Sequence, residues 1–237
     1  MVTPLFKQCS GNLLMILPAA CLFDLDGLLL DTEPLHAQVW SQTAAAFGAS
    51  LSDQQLLALK GRRRLDCAQQ LQDWLNIQVG CEQVLAVRKP ITQRLLSQAP
   101  AMPGAEDLVR WCADQKLPMA LVTSSTDDAV ALKSGNHAWL QLIQLRVLGD
   151  DPCLKAGKPE ADPFLLASKR LGVEPSACWA FEDSPAGTQA ALAAGCFVWV
   201  LDNQMNANNG FELEANLRQI SQLSTALDQL KAAKGAC

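Results

Sequence analysis

The sequence predicts an α/β fold, in which helices cover both faces of a parallel sheet and an all-helical domain is inserted after the first strand. Three observations favour this fold class. Short apolar runs alternate with helix-like segments, which is typical of strands that are buried on both faces. The segment 32–102 lacks such runs and has only helical patterns. The chain has 237 residues, of which 49% are hydrophobic, and is long enough for a core and a smaller second domain.

Five apolar runs are the strand candidates. They are Ala20–Leu25, Met119–Thr123, Leu145–Leu148, Cys178–Phe181 and Phe197–Leu201. Two of the helices between them carry start signals, because Asp162 and Ser184 each precede a proline and can cap a first helical turn. Past the last strand, apolar spacing predicts a terminal helix that packs on the core. Its apolar positions are Leu217, Ile220, Leu223 and Leu227.

The chain divides into three parts on this interpretation. Residues 15–31 and 103–237 form the core, residues 32–102 form the helical insertion, and residues 1–14 are an N-terminal extension. Glycines at 48, 61 and 80 are expected to separate the helices of the insertion. Ligands of open parallel sheets bind beyond the carboxyl ends of the strands, so we expect the insertion to lie over the functional site.

Composition excludes several classes of partner. The net charge of −5 and the pI of about 5.0 argue against binding to nucleic acid or to an anionic membrane. The nine cysteines are odd in number and form no Cys-x-x-Cys pair, which favours a reduced, cytoplasmic setting. Two histidines make a Cys/His zinc site an unattractive hypothesis. We expect a monomer or a weak dimer that acts on a small molecule.

The strongest single motif follows the first strand. Asp24 and Asp26 lie two residues apart at the end of an apolar run, so their side chains point the same way. Two acids are costly at the end of a buried strand unless a cation neutralises them. Gly27, which comes next, permits a sharp backbone turn.

Polar residues also follow a second strand, and a basic residue precedes a helix. Thr123, Ser124 and Ser125 end the second apolar run, where hydroxyl groups can donate hydrogen bonds to an anion. Lys158 stands in Gly-Lys-Pro, just before a helix, and can offset several negative charges at one place.

A second pair of acids ends a later strand. Glu182 and Asp183 follow an apolar run, as Asp24 does. Together with Asp24 and the backbone carbonyl of Asp26, they would provide the oxygen ligands that Mg²⁺ prefers. The sequence therefore predicts a magnesium site at the ends of the strands.

In sequence order, these four segments resemble the motifs of the haloacid dehalogenase superfamily of phosphotransferases. The motifs are Asp-x-Asp-Gly at 24–27, hydroxyl residues at 123–125, Gly-Lys-Pro at 157–159 and Glu-Asp-Ser-x-x-Gly at 182–187. The resemblance covers about residues 20 to 201. Asp31–His36 and the helical insertion are similar to the β-phosphoglucomutase and sugar-phosphatase branch. The resemblance implies a Rossmann-like core and a helical cap domain.

The resemblance also implies a Mg²⁺-dependent phosphatase for a small sugar phosphate. Asp24 would attack phosphorus and form an aspartyl-phosphate, while Asp26 would act first as general acid and then as general base. Lys158 and Mg²⁺ would offset the negative charge. Thr123, with Ser124 and Ser125, would hold the phosphoryl oxygens.

Three residues of the insertion are candidate substrate contacts by resemblance to the same branch. Arg64 matches a cap arginine that contacts a second phosphate, and Lys89 lies where the branch has a cap lysine, although Pro90 departs from its pattern. His36 matches a histidine near the hinge.

Other functions remain open. A β-phosphoglucomutase would use the same core to move phosphate between two sugar hydroxyls. A phosphonoacetaldehyde hydrolase would need a cap lysine, for which Lys60 is a poor candidate. A receiver-like switch or an inactive binding module would lack the second acid, Asp26, and a helical lid. Asp26 also argues against a dehalogenase, because halide leaves without a proton.

Overall fold

The computed structural model describes residues 6–9, 12–59, 64–75, 79–202 and 215–235. The chain separates into two compact units, one formed by Met1–Leu30 with Ala101–Cys237 and the other by Asp31–Pro100. In chain order the strands are β1 (Phe6–Cys9), β2 (Asn12–Met15), β3 (Ala20–Phe23), β4 (Met119–Val122), β5 (Leu145–Val147), β6 (Cys178–Glu182), β7 (Phe197–Leu201) and β8 (Leu217–Ile220). The helices are α1 (Glu33–Ala46), α2 (Asp53–Leu59), α3 (Arg64–Leu75), α4 (Cys81–Leu96), α5 (Ala105–Asp114), α6 (Asp127–Ser134), α7 (Asp162–Leu171), α8 (Pro185–Ala193) and α9 (Leu223–Gly235).

The first unit is built on a parallel sheet of six strands in the order β5-β4-β3-β6-β7-β8. All five predicted strands are present, and the predicted fold class is confirmed. The first strand of the chain to enter this sheet, β3, lies between β4 and β6. The carboxyl ends of these three strands therefore meet at the centre of one edge. Separately, β1 and β2 pair in an antiparallel arrangement, and all of their residues except Met15 belong to the segment 1–14 that was predicted to be an extension.

Helices cover both faces of the sheet. On one face, alternate strand residues such as Leu22 and Ala180 pack with Phe164 of α7 in a single buried cluster. On the other face, the thiols of Cys21 in β3 and Cys112 in α5 are hydrogen-bonded to each other. Helix α5 in turn packs against α9. Strands buried in this way need no polar face, which explains why they read as unbroken apolar runs.

Two expectations for local structure were wrong. The predicted terminal helix begins only at Leu223, because Leu217–Ile220 is strand β8. Leu217 and Ile220, at the two ends of this short strand, are buried, and the two residues between them are exposed. Buried residues three positions apart are also typical of a helix, so the sequence pattern did not distinguish the two. Pairing with β8 satisfies the backbone groups along the open edge of β7. Asp162 does not cap α7 but is its first residue, after Ala161.

The second unit is helical and consists of α1 to α4. Helix α1 packs against α4, and α3 also packs against α4. Trp40, Leu71 and Val84 belong to the buried core of this unit. Of the glycines predicted to separate these helices, Gly48 lies two residues after the end of α1 and has a φ of +78°. Gly80 is the N-cap of α4. The predicted break at Gly61 lies outside the described residues. Among the described residues, no helix combines the length and the apolar character that crossing a membrane requires.

A glycine in α8 makes room for the end of β6. Ser184 caps α8 as predicted, since its hydroxyl accepts a hydrogen bond from the backbone N–H of Gly187 at 3.1 Å. A Cβ at Gly187 would lie 2.0 Å from Oε1 of Glu182, whose side chain is fully buried. Gly187 therefore permits a carboxylate to lie against the first turn of the helix.

We predict that Gly187→Ala destabilises the protein, by about 1–3 kcal/mol in the free energy of unfolding, because the new methyl displaces a buried carboxylate. Alanine in a helix is normally more stable than glycine by roughly 0.5–1 kcal/mol, so the sign is opposite to the usual one. Chemical denaturation measures the change.

The control is Gly235→Ala at the end of α9, where the added Cβ meets no atom within 4 Å. This variant should stay within about 0.5 kcal/mol of the wild type. Equal stabilities for the Gly187 and Gly235 variants would show that the contact with Glu182 does not constrain α8.

Candidate active site

The carboxyl ends of β3, β4 and β6 bring separate polar segments together. Asp24 follows β3, Thr123 follows β4, and Glu182 is the last residue of β6. The backbone N–H of Asp24 donates to the carbonyl of Phe181 at 3.0 Å, which continues the pairing of β3 with β6 beyond the strand. Asp24 is only 6% exposed and Glu182 is fully buried. Ionisable side chains this deeply buried require charged partners.

Lys158 is the charged partner of both acids. Its Nζ lies 2.5 Å from Oδ1 of Asp24 and 2.5 Å from Oε1 of Glu182, and it donates to the carbonyl of Val122 at 2.9 Å. These three acceptors account for the three donors of the ammonium group. The side chain of Lys158 is 6% exposed, and Nζ lies 5.4 Å from the ring centre of Phe164.

The pKa values reflect this burial. Burial raises the pKa of Asp24 from 3.8 to about 7, and the charges of Glu182 and Asp26 add to the effect while Lys158 opposes it. Burial lowers the pKa of Lys158, but the charges of Asp24 and Glu182 outweigh burial and hold this pKa above its ordinary value. Lys158 therefore stays charged at neutral pH, whereas Asp24 titrates close to it.

Asp183 completes a cluster of three buried acids. Ligand oxygens of Asp24, Glu182 and Asp183 all lie within 4.8 Å of one another. Gly27, with a φ of +84°, lies so close that an added Cβ would be 2.0 Å from Oδ2 of Asp183. The turn after β3 thus needs glycine at position 27 for two reasons. Its backbone conformation has a positive φ, and the Asp183 carboxylate occupies the space that a side chain would fill.

This cluster fits a divalent cation with hard oxygen ligands. The described charges at the strand ends are four carboxylates and two lysines, which leaves a net charge of −2 when all are ionised. The residues are Asp24, Asp26, Glu182, Asp183, Lys133 and Lys158. One divalent ion would neutralise that excess, and carboxylate oxygens are the ligands that Mg²⁺ prefers.

Asp26 has a lysine of its own. Lys133, on α6, places Nζ 2.7 Å from Oδ1 and 2.5 Å from Oδ2 of Asp26. The hydroxyl of Ser125 donates to Oδ2 of Asp26 at 2.8 Å and accepts from Lys133 at 2.7 Å. The side chain of Lys133 is 2% exposed, while that of Asp26 is 24% exposed. The three residues form a closed hydrogen-bonded triangle.

The hydroxyl residues after β4 have different environments. The side-chain oxygen of Thr123, which is buried, accepts from the backbone N–H of Ser125 at 3.1 Å and keeps its own hydrogen as a donor. Ser124 is exposed. Ser125 is oriented toward Asp26, as described above, although its sequence position suggested a contact with a bound anion.

Sequence reasoning missed Lys133. The only signal is its place on α6, three residues after the buried Val130 and thus on the same face of the helix. A lysine at a core-facing position needs an acidic partner, but the sequence does not indicate which one.

The candidate residues of the insertion belong to the helical unit. His36 is half-buried on α1, and Lys89 is exposed on α4. Arg64 is the first residue of α3, but its side chain lies outside the described residues. Next to Lys89, Arg88 is buried, with its guanidinium 4.6 Å from the ring centre of Trp40.

Several known proteins are similar to this chain. A Drosophila melanogaster protein named "Probable pseudouridine-5'-phosphatase" is 36% identical over 179 residues, covering 74% of this chain and 78% of its own. The fructose-1-phosphate phosphatase of Escherichia coli is 34% identical over 179 residues, covering 75% and 93%. The crystal structure of a haloacid dehalogenase-type hydrolase (family IA, variant 3) from Entamoeba histolytica is similar to the structure of this chain, with a TM-score of 0.74 and 26% sequence identity. The match covers 91% of this chain and 99% of the Entamoeba chain.

The family model of the haloacid dehalogenase-like hydrolases matches residues 18–195, a range that contains all four motifs and every charged residue of the strand-end site. The chain belongs to the haloacid dehalogenase-like hydrolase family.

Proposed function

We propose that the protein is a Mg²⁺-dependent phosphatase that hydrolyses a small sugar phosphate, or a related phosphorylated metabolite, through an aspartyl-phosphate. The observation that carries this proposal is the position of Lys158, whose ammonium contacts both Asp24 and Glu182 at 2.5 Å. A buried carboxylate beside a fixed positive charge can approach an anionic phosphate that would otherwise repel it.

In the first step, Asp24 attacks phosphorus with a carboxylate oxygen. The bond between phosphorus and the ester oxygen breaks, and its electron pair stays on the leaving oxygen. Asp26, two residues along the chain, gives this oxygen a proton, so that an alcohol departs. Thr123 donates its hydroxyl hydrogen to a phosphoryl oxygen and, with Ser124, holds the group in line. Ser125, which was expected to contact the phosphate as well, gives its hydroxyl hydrogen to Asp26 instead.

In the second step, water attacks the aspartyl-phosphate. Asp26 now takes a proton from the water, the bond between phosphorus and Asp24 breaks, and its electron pair returns to the Asp24 carboxylate. The products are inorganic phosphate and the starting enzyme. The same residue therefore serves as acid and then as base, as the order of proton transfers requires.

Mg²⁺ would be held by Asp24, Glu182 and Asp183, with the backbone carbonyl of Asp26 as a further ligand. When bound, the ion supplies positive charge that offsets the negative charge between the nucleophile and the phosphate.

The helical unit is proposed to be a cap that selects the substrate, with 32–102 as the cap and 15–31 plus 103–237 as the catalytic core. His36, Arg64 and Lys89 are the proposed substrate contacts in the cap. The names of the relatives suggest pseudouridine 5′-phosphate and fructose 1-phosphate as first substrates to test. A cytoplasmic location and a monomer or weak dimer remain part of the proposal.

We predict that the protein releases inorganic phosphate from p-nitrophenyl phosphate and from at least one sugar phosphate when Mg²⁺ is present. Chelation with EDTA should stop the release, and added Mg²⁺ should restore it. Asp24→Asn should lower kcat by about 10³-fold or more, because the amide cannot form the phosphoenzyme.

Circular dichroism of the Asp24 variant serves as the control for folding. A folded Asp24→Asn protein that retains wild-type turnover would contradict the role of Asp24 as nucleophile. The absence of phosphate release from any ester would contradict the proposed function as a whole.

We predict that the contribution of Asp24 to the stability of the metal-free protein falls as pH rises from about 4 to about 7, because the pKa of Asp24 is about 7 when folded and near 3.8 when unfolded. The folded state binds the proton more tightly, so the stabilising effect is complete below pH 3.8 and is lost above pH 7. Asp24→Asn should lack this component. The melting temperature of the variant in EDTA, relative to the wild type, should therefore rise between pH 5 and pH 8.

A melting-temperature difference that stays constant, or falls, over this pH range would show that burial does not raise the pKa of Asp24. Asp151→Asn is the matched control. Asp151 pairs with Arg170, and this partner lowers its pKa instead of raising it. Its melting-temperature difference should not increase over the same range.

A β-phosphoglucomutase is the second candidate function, because Asp31–His36, Arg64 and Lys89 resemble that branch. We predict that glucose 1-phosphate, primed with a catalytic amount of glucose 1,6-bisphosphate, yields inorganic phosphate faster than glucose 6-phosphate. A coupled assay for glucose 6-phosphate, run beside a phosphate assay, measures both products. Formation of glucose 6-phosphate as the main product would replace the phosphatase assignment by the mutase.

A further inference from the structure

Each of the two acids that follow β3 has a separate buried lysine. Lys158 contacts Asp24 and Glu182, whereas Lys133 contacts Asp26 through both of its carboxylate oxygens. Lys158 precedes α7, and Lys133 belongs to α6. The first lysine belongs to a motif of the family, but no motif predicts the second.

Contacts from two directions fix the orientation of Asp26. An aspartate side chain has two rotatable bonds, and the ammonium of Lys133 and the hydroxyl of Ser125 contact the same carboxylate. Lys133 also contacts the hydroxyl of Ser125, so neither donor can move without disturbing the other. The burial of Lys133 leaves it little freedom to turn toward solvent.

The contacts matter for the step in which Asp26 acts as a base. A base that activates water must point at it, because misorientation by even a small distance costs rate. Two donors hold the Asp26 carboxylate in one orientation, which is what proton transfer from water in the second step needs. With a leaving group that departs without a proton, only this hydrolysis step uses Asp26.

We propose that Lys133 is a positioning residue that holds Asp26 as an oriented base for hydrolysis of the aspartyl-phosphate. The proposal rests on the proposed function and assigns a residue to its second step. In that step the water oxygen bonds to phosphorus, the proton goes to Asp26, and the bond to Asp24 breaks with its electron pair returning to Asp24. Lys133 takes no part in these bonds and acts only through Asp26.

The test uses p-nitrophenyl phosphate, whose leaving group departs without a proton, so that kcat/KM reports formation of the phosphoenzyme alone. Lys133→Met should lower kcat by about 10- to 100-fold and change kcat/KM by less than about threefold. KM should therefore fall with kcat. Stopped-flow traces should show a burst of about one p-nitrophenol per active site, because phosphoenzyme accumulates.

Two further variants show whether Lys133 acts through Asp26. Lys133→Arg keeps the positive charge and can donate hydrogen bonds to both carboxylate oxygens of Asp26, so its kcat should lie within about threefold of the wild type. In an Asp26→Asn background, Lys133→Met should cause no further loss beyond about threefold, since the residue that it positions is already absent. Lys169→Met replaces an exposed lysine on α7 and should leave both constants unchanged. Should Lys133→Met aggregate, Lys133→Gln takes its place.

Three outcomes would overturn the proposal. One is an equal fall in kcat and kcat/KM, which a loss of folded enzyme would produce. The second is an additional full loss in the Asp26→Asn background. The third is wild-type turnover in the Met variant. Failure of the proposed function would look different. The wild-type protein itself would then release no phosphate, and Asp24→Asn would not differ from the wild type.

Discussion

The ammonium group of Lys158 is buried and must therefore be surrounded by hydrogen-bond acceptors. The carboxyl ends of β3, β4 and β6 provide these acceptors. An unpaired charge at 6% exposure would cost several kcal/mol, so Asp24 and Glu182 have to reach the same point although they belong to different strands. Asp24 is 134 residues away from Lys158 in the chain. The position of β3 between β4 and β6 is what makes this meeting possible.

Small residues around the site keep these charges in place. Gly187 leaves space for Glu182, and Gly27 leaves space for Asp183, so the two acids approach backbone that any larger residue would block. Ser184 contributes twice, since it caps α8 and donates to Oε2 of Glu182 at 3.2 Å. The acidic cluster is thus supported by close packing against backbone and by the hydrogen bond from Ser184. Such preorganisation is what electrostatic stabilisation of a phosphate requires.

Much of this arrangement could be predicted from the sequence. The central strands were visible because burial on both faces requires continuous apolar runs, and the motif residues that follow them meet because parallel strands end at one edge. Strand β8 was mistaken for helix because its buried ends have helical spacing. Lys133 was not found because a helical lysine shows no partner in the sequence, and Asp26 lies 107 residues away. The proposed roles of His36 and Lys89 depend on side-chain placement that spacing does not determine.

The helical insertion leaves and rejoins the sheet-containing unit at neighbouring points. Leu30 and Ala101 form an antiparallel bridge, and the next residues inward, Asp31 and Pro100, are joined by a backbone hydrogen bond of 2.9 Å. Because both ends of the insertion lie at this one junction, its replacement would alter the junction but none of the strands of the sheet. Evolution can therefore exchange one helical insertion for another without rebuilding the strand ends that carry the buried acids and lysines.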